Sequence, residues 1–309
     1  MRALPASALV IGVLAVSTAP VLILLTGLDP FALASWRLLC VALLLSPLAL
    51  PRLLADWRGL RGRERLLLLA SGVLYGAHFG LFNLAFFHTS KESVVVLLAV
   101  QPLMAAGIGA AWLDEKFTRA MLLSSLIATS GLVLFVWHDY RFDASQLVGD
   151  ALVLACGLAI VTSYSLGRVL RPRMSLPGYL GALYWVGGLT TLTAALIAGD
   201  PLSGYSNDQW FWLIAAVLVP TLVGHSLFHY VVKYVPVFYV NLTILGEPII
   251  SLLIMYALRD QYVVFRESTM SMEQIIGGTL LIAGVAIGLT MGRKDRNAIR
   301  ASAKPEVTT

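Results

Sequence analysis

Apolar residues come in long blocks along this chain, and charged residues cluster between the blocks. A helix needs about 20 apolar residues to cross the hydrocarbon core of a bilayer. Ten runs approach that length: 7–25, 31–50, 65–88, 92–112, 118–137, 147–167, 178–199, 209–233, 235–258 and 273–292. The third and fourth meet at "HTSKES", and the eighth and ninth at "VKYVPV". The first run outlasts the ~7–15 residue apolar stretch of a signal peptide and nine more runs follow it, so it reads as a true span. The connections are short and leave room for no soluble domain beyond the tail from Arg293 onward. The pattern predicts an all-α polytopic membrane protein.

Charge sets the expected orientation. Lys and Arg are enriched in cytoplasmic loops of membrane proteins. With the N-terminus inside and ten crossings, 17 of the 22 Lys and Arg fall on the inner side and four on the outer side. Arg37 is the remaining one, inside the second span. Both termini are therefore expected in the cytoplasm, in a cytoplasmic (inner or plasma) membrane. A missed helix would flip every later loop and scramble this asymmetry.

Composition narrows the class. The chain is 58% hydrophobic and 13% charged, against about 25% charged residues in soluble domains. An ordinary soluble enzyme, a disordered chain and a nucleic-acid binder are excluded. The net charge of +5 belongs to the inner loops. Cys40 and Cys156 both lie in apolar runs and indicate neither a disulfide framework nor a thiolate metal site.

The chain repeats weakly at a spacing of 146. "FGLFNLAFFHTS" (79–90) lies over "HSLFHYVVKYVP" (225–236), so Phe82 falls on Phe228 and Asn83 on His229. The same shift sets "VQPLMA" (100–105) over "GEPIIS" (246–251), and Pro102 on Pro248. The expected units are 1–140, 141–292 and a basic tail, 293–309. Five spans per half is an odd number, so the second half would enter from the opposite face. Inverted repeats with interrupted helices near the midplane are an architecture of secondary transporters.

Two segments carry a resemblance. "SVVVLLAVQPLMAAGIGAAWLDEKFTRAMLLSSLIATSGLVL" (93–134) looks like the end of the first repeat of EamA-type members of the drug/metabolite transporter superfamily. "PTLVGHSLFHYVVKYVPVFYVNLTILGEPIISLL" (220–253) resembles the matching part of the second. The shared pattern is a mid-span proline, a Gly- or Ala-rich stretch, an acidic turn, and a helix ending near a glycine. The turn is short at Asp114–Glu115; in the second half it is stretched to "LRDQYVVFREST", with Glu267 as the nearest match. The resemblance implies small organic metabolites, such as amino acids or drug-like compounds, as the substrate class, and the expected activity is a secondary transporter that moves them outward.

Ionisable groups at membrane depth are costly and usually serve a cavity. Glu247 stands about halfway along the ninth span, before Pro248. Proline removes a backbone donor and frees a carbonyl one turn back, so the helix can bend there beside a solute. Glu247 is the candidate for proton coupling or cation binding; the alternative is a carboxyl that ties two helices together. Gln101 is its mate before Pro102, a cavity residue or interhelical glue. His225 and His229 share a helix face. They are candidates for lining the cavity, with no third ligand that would make a metal site. Asn83, mate of His229, is preferred over His78, since the two lie about 140° apart on the wheel.

Arg37 could snorkel outward or pair with a substrate carboxylate. Tyr75, Tyr184, Trp185 and Tyr239 are candidates for an aromatic wall, or for the interfacial belt. Gly107, Gly109, Gly187, Gly188, Gly277, Gly278 and Gly284 are expected at close helix approaches. No nucleotide-binding loop is present, so a gradient would supply the energy, and no cofactor is expected. The expected partners are a small-molecule substrate and the lipid bilayer, with no nucleic acid; the oligomeric state is open, a monomer included. The alternatives are an integral-membrane enzyme acting on lipid, a lipid flippase, and a channel. No GxSxG, HExxH or acidic metal cluster supports the enzyme.

Overall fold

The structure is a computed structural model, and it describes residues 3–137, 144–266 and 271–302. Glu267 lies outside the described residues. Ten helices are long and apolar enough to cross a membrane: Leu4–Thr26, Pro30–Gly59, Gly62–Ala85, Ser93–Trp112, Arg119–Val136, Leu147–Leu170, Leu176–Ala198, Asn207–Val231, Val237–Leu258 and Met272–Met291. No strand occurs among the described residues. The chain is a multi-pass, all-helical membrane protein.

Three spans are broken where a proline follows the break. The first divides into Ala3–Val16 and Ala19–Thr26, ahead of Pro20. The fourth divides into Lys91–Leu98 and Gln101–Trp112, ahead of Pro102. The ninth divides into Val237–Ile244 and Glu247–Leu258, ahead of Pro248. In each case the proline sits in the first turn of the second piece, where its missing N–H has no intrahelical partner to lose. The eighth span absorbs Pro220 differently, in a wide π-helical stretch, Val217–His225.

One expected boundary is corrected. The second span does not stop at residue 50: its helix runs to Gly59 through Pro47 and Pro51. The last helix, Met272–Ser302, carries on past the tenth span, Met272–Met291, into the basic tail.

The packing has an internal order. The second span packs on the seventh, the fifth on the tenth, and the fourth on the ninth. The third packs on the sixth, and the eighth on the first. This set of pairs maps onto itself when each span is exchanged with the one five places further along. Two caps follow the same exchange. Asp200 Oδ2, after the seventh span, accepts from the N–H groups of Phe31 and Ala32 at the start of the second, at 2.9 and 3.2 Å. Asp56 Oδ2, near the end of the second span, accepts from the N–H and hydroxyl of Ser175 before the seventh, at 2.9 and 2.7 Å. Each carboxylate satisfies donors that a helix start leaves orphaned.

Close approaches need glycine. A Cβ at Gly277 would lie 2.5 Å from the Phe135 nitrogen and 2.6 Å from the Gly131 carbonyl oxygen, joining the tenth span to the fifth. One at Gly76 would lie 2.5 Å from the Gly187 oxygen, joining the third to the seventh. Gly284 is equally tight, at 2.5 Å from the Ala128 nitrogen, and Gly188 meets the Leu39 side chain at 2.7 Å, whereas Gly107 faces open space and packs against nothing. That expectation is corrected for Gly107.

Candidate functional site

The third, sixth, seventh and eighth spans bring their aromatic and imidazole side chains into one buried cluster. Tyr75 is its hub, fully buried. Its ring meets those of Phe79, Tyr184, His225 and His229 edge-on, at centroid distances of 5.0, 5.6, 5.8 and 5.2 Å. Such edge-to-face geometry sets the positive rim of one ring against the negative face of another.

His229 is the least satisfied member. It is completely buried, and neither ring nitrogen has a hydrogen-bond partner in the protein. Its ring lies 4.8 Å from Tyr164 and 5.5 Å from Tyr179. His225 is better provided, with Nδ1 3.4 Å from the Tyr164 hydroxyl. The Tyr184 hydroxyl donates to the Thr221 carbonyl at 2.7 Å and pairs with Ser226 Oγ at 2.9 Å.

Charge enters from two broken or bent regions. Arg37 is 2% exposed. Its Nε donates to Thr221 Oγ1 at 2.9 Å, and its guanidinium stands 4.7 Å from the centre of the Phe79 ring. It does not snorkel: the π-helical stretch around Pro220 presents Thr221 to it within the core. Glu247, half-buried, is the first residue after the break in the ninth span. Among the described residues it forms no ion pair, and a helix start is a favourable place for a carboxylate.

The other candidates separate. His78, ranked below Asn83 by its sequence position, is in the cluster: its ring centroid lies 6.0 Å from His225, and its Nδ1 is 3.1 Å from Cys156 Sγ. Asn83 instead donates from Nδ2 to the Pro30 carbonyl at 2.9 Å, tying the third span to the start of the second. Gln101 is buried at the break of the fourth span, with Gly157 of the sixth against its Cγ. Trp185 donates to Ser46 Oγ at 3.0 Å and so packs on the second span. Tyr239 is buried on the ninth span beside Phe238, ring centroids 5.0 Å apart. Phe79, Cys156, Tyr164, Tyr179 and Thr221 also belong to the cluster and were not named as site residues. Phe79 carried a signal, since at the repeat spacing it falls on His225.

The fold and this site define a class: a polytopic membrane protein with a buried polar and aromatic centre. The EamA-like transporter family matches residues 4–137 and 147–290. The chain therefore belongs to the EamA-like transporter family, part of the drug/metabolite transporter superfamily. It is also similar to an uncharacterized transporter of Archaeoglobus fulgidus, at 38% identity over 79 residues. That match covers 26% of this chain and 27% of the relative, about a quarter of each. One solved structure, described only as the crystal structure of a protein, shares the fold at a TM-score of 0.74. It is 18% identical, and the match covers 94% of this chain and 98% of that one.

Proposed function

We propose that the protein exports small organic metabolites, amino acids or drug-like compounds, by alternating access around the cluster of Tyr75, His225, His229, Arg37 and Glu247. The observation that carries this reading is a completely buried imidazole, His229, with no protein partner for either ring nitrogen, in a ring cluster that also seats the buried Arg37 guanidinium over Phe79. Buried polar groups ordinarily find partners, and a solute passing through supplies them. The exchange symmetry of the packing pairs supports two inverted five-span units, 1–140 and 141–292, rocking about a central site. The excess of Lys and Arg on one side supports a cytoplasmic membrane with both termini inside.

Glu247 is the coupling group in this reading. It takes a proton when the site opens outward and releases it when the site opens inward, or it holds the solute during exchange. The test is Glu247→Gln in proteoliposomes. Uptake driven by a pH gradient is expected to vanish, while solute–solute exchange continues, since exchange needs no net proton movement. Equal pH-driven rates in variant and wild type would remove Glu247 from coupling.

A further inference from the structure

At one end of the bundle a single guanidinium holds three elements together. Arg168 stands near the end of the sixth span, Leu147–Leu170. Its Nε contacts Glu115 Oε1 at 3.1 Å, in the turn after the fourth span. Its Nη1 donates to the carbonyls of Val232 and Lys233, at 3.0 and 2.9 Å, in the turn before the ninth. Both charged side chains are mostly buried, at 26% and 16% exposure. Glu115 is itself folded back: its N–H donates to the Gly109 carbonyl at 3.1 Å, and Asp114 before it adopts a positive φ of 52°. Burial pushes the Glu115 carboxyl above its ordinary range, with Arg168 pulling in the opposite direction.

What Arg168 grips follows from the breaks. The piece of the fourth span beyond its break, Gln101–Trp112, leads directly into Glu115. The piece of the ninth span ahead of its break, Val237–Ile244, follows directly from Val232 and Lys233. These two pieces pack against each other. Both are fastened to the sixth span through Arg168. At the repeat spacing, Glu115 falls on Gln261 and Arg168 on Leu22, neither of which can form an ion pair, so the described residues show no counterpart of this contact at the other end; Glu267, the nearest acidic match in the second half, lies outside them.

We propose that Glu115 and Arg168 form a one-sided gate latch that holds this mouth, the cytoplasmic one by its surplus of Lys and Arg, shut until solute or proton binding at the centre releases it. The proposal rests on the transport reading above and adds to it a gate at this mouth. A charge-assisted contact shared with two carbonyls is strong and directional, so it biases the equilibrium between the two access states without touching the solute.

Cys156 is a native reporter. It is fully buried in the central cluster, on the same span as Arg168 and three turns deeper. In a Cys40→Ser background, a membrane-impermeant methanethiosulfonate is applied to either face of oriented vesicles. The latched protein is expected to react slowly from both faces. Glu115→Gln is expected to raise the rate about tenfold from the Arg168 face alone, the shift that loss of a partly buried charge pair gives a two-state equilibrium. Arg168→Lys keeps the charge and loses the shared grip, so it gives a smaller rise on the same face and serves if Glu115→Gln does not accumulate. An unchanged rate in either folded variant, or an equal rise from both faces, would overturn the latch. Solute export by the wild type with no change in Cys156 reactivity in the variants sinks the latch alone. One-sided exposure of Cys156 in a protein that exports nothing counts against transport and leaves the latch standing.

Discussion

Replacing His229 by Phe separates a structural role from a functional one. The imidazole is completely buried and both nitrogens lack a protein partner. An unsatisfied buried polar atom costs about 1–3 kcal/mol, so the pair burdens the fold by roughly 2–6 kcal/mol on the same scale. Phenylalanine keeps a flat ring among Tyr75, Tyr164 and Tyr179, whose centroids lie 4.8 to 5.5 Å away. It is somewhat larger, and overpacking a tight core costs about 1–3 kcal/mol. At the midpoints of these two opposing contributions the expected net effect is a gain of about 2 kcal/mol. The assay is denaturant or thermal unfolding of wild type and variant in one detergent, read beside solute export. Higher stability with lost export is the expected pair of results, the trade seen where a site carries unsatisfied groups for its ligand. A less stable His229→Phe would refute the reasoning, because the nitrogens would then be satisfied within the folded protein and not free for a solute.

Gly277→Val should be among the most damaging changes outside the centre. Its Cβ would meet backbone atoms of the fifth span at 2.5 and 2.6 Å, and a drop in folded yield on size-exclusion chromatography reports it. Gly107→Ala, facing open space, should leave that yield unchanged and serves as its control. Asp200→Ala removes the acceptor of two N–H groups at the start of the second span. A loss of about 1–2 kcal/mol is expected from a missing cap, measured by unfolding in detergent.

The spans were legible because crossing a bilayer demands a length of apolar chain that little else does. The breaks at Pro102 and Pro248 were legible for a related reason, since a proline at mid-span must free a carbonyl. Pro20 breaks the first span in the same way, but the uninterrupted apolar run around it hid that break. Pro47 and Pro51 argue for an end to the second span, but the helix carries them to Gly59.

The site was less legible. Helix-wheel reasoning separated His78 from Asn83 correctly as positions on one helix. It could not say which face meets the eighth span, and the repeat favoured Asn83. The seating of Arg37 depended on Thr221, which a π-helical stretch delivers and no local pattern announces. Likewise the grip of Arg168 joins residues 53 and 64 to 65 positions apart, so only the packed bundle reveals it.

Export around a titrating Glu247 is the central claim, and the solutes themselves test it most directly. Wild type, Glu247→Gln and an empty vector are produced in one host, and the growth medium is profiled by mass spectrometry. A solute that accumulates outside only with the wild type is the predicted result, and it names the substrate. Identical media from all three strains, with the protein verified in the membrane, would contradict export as the activity of this chain.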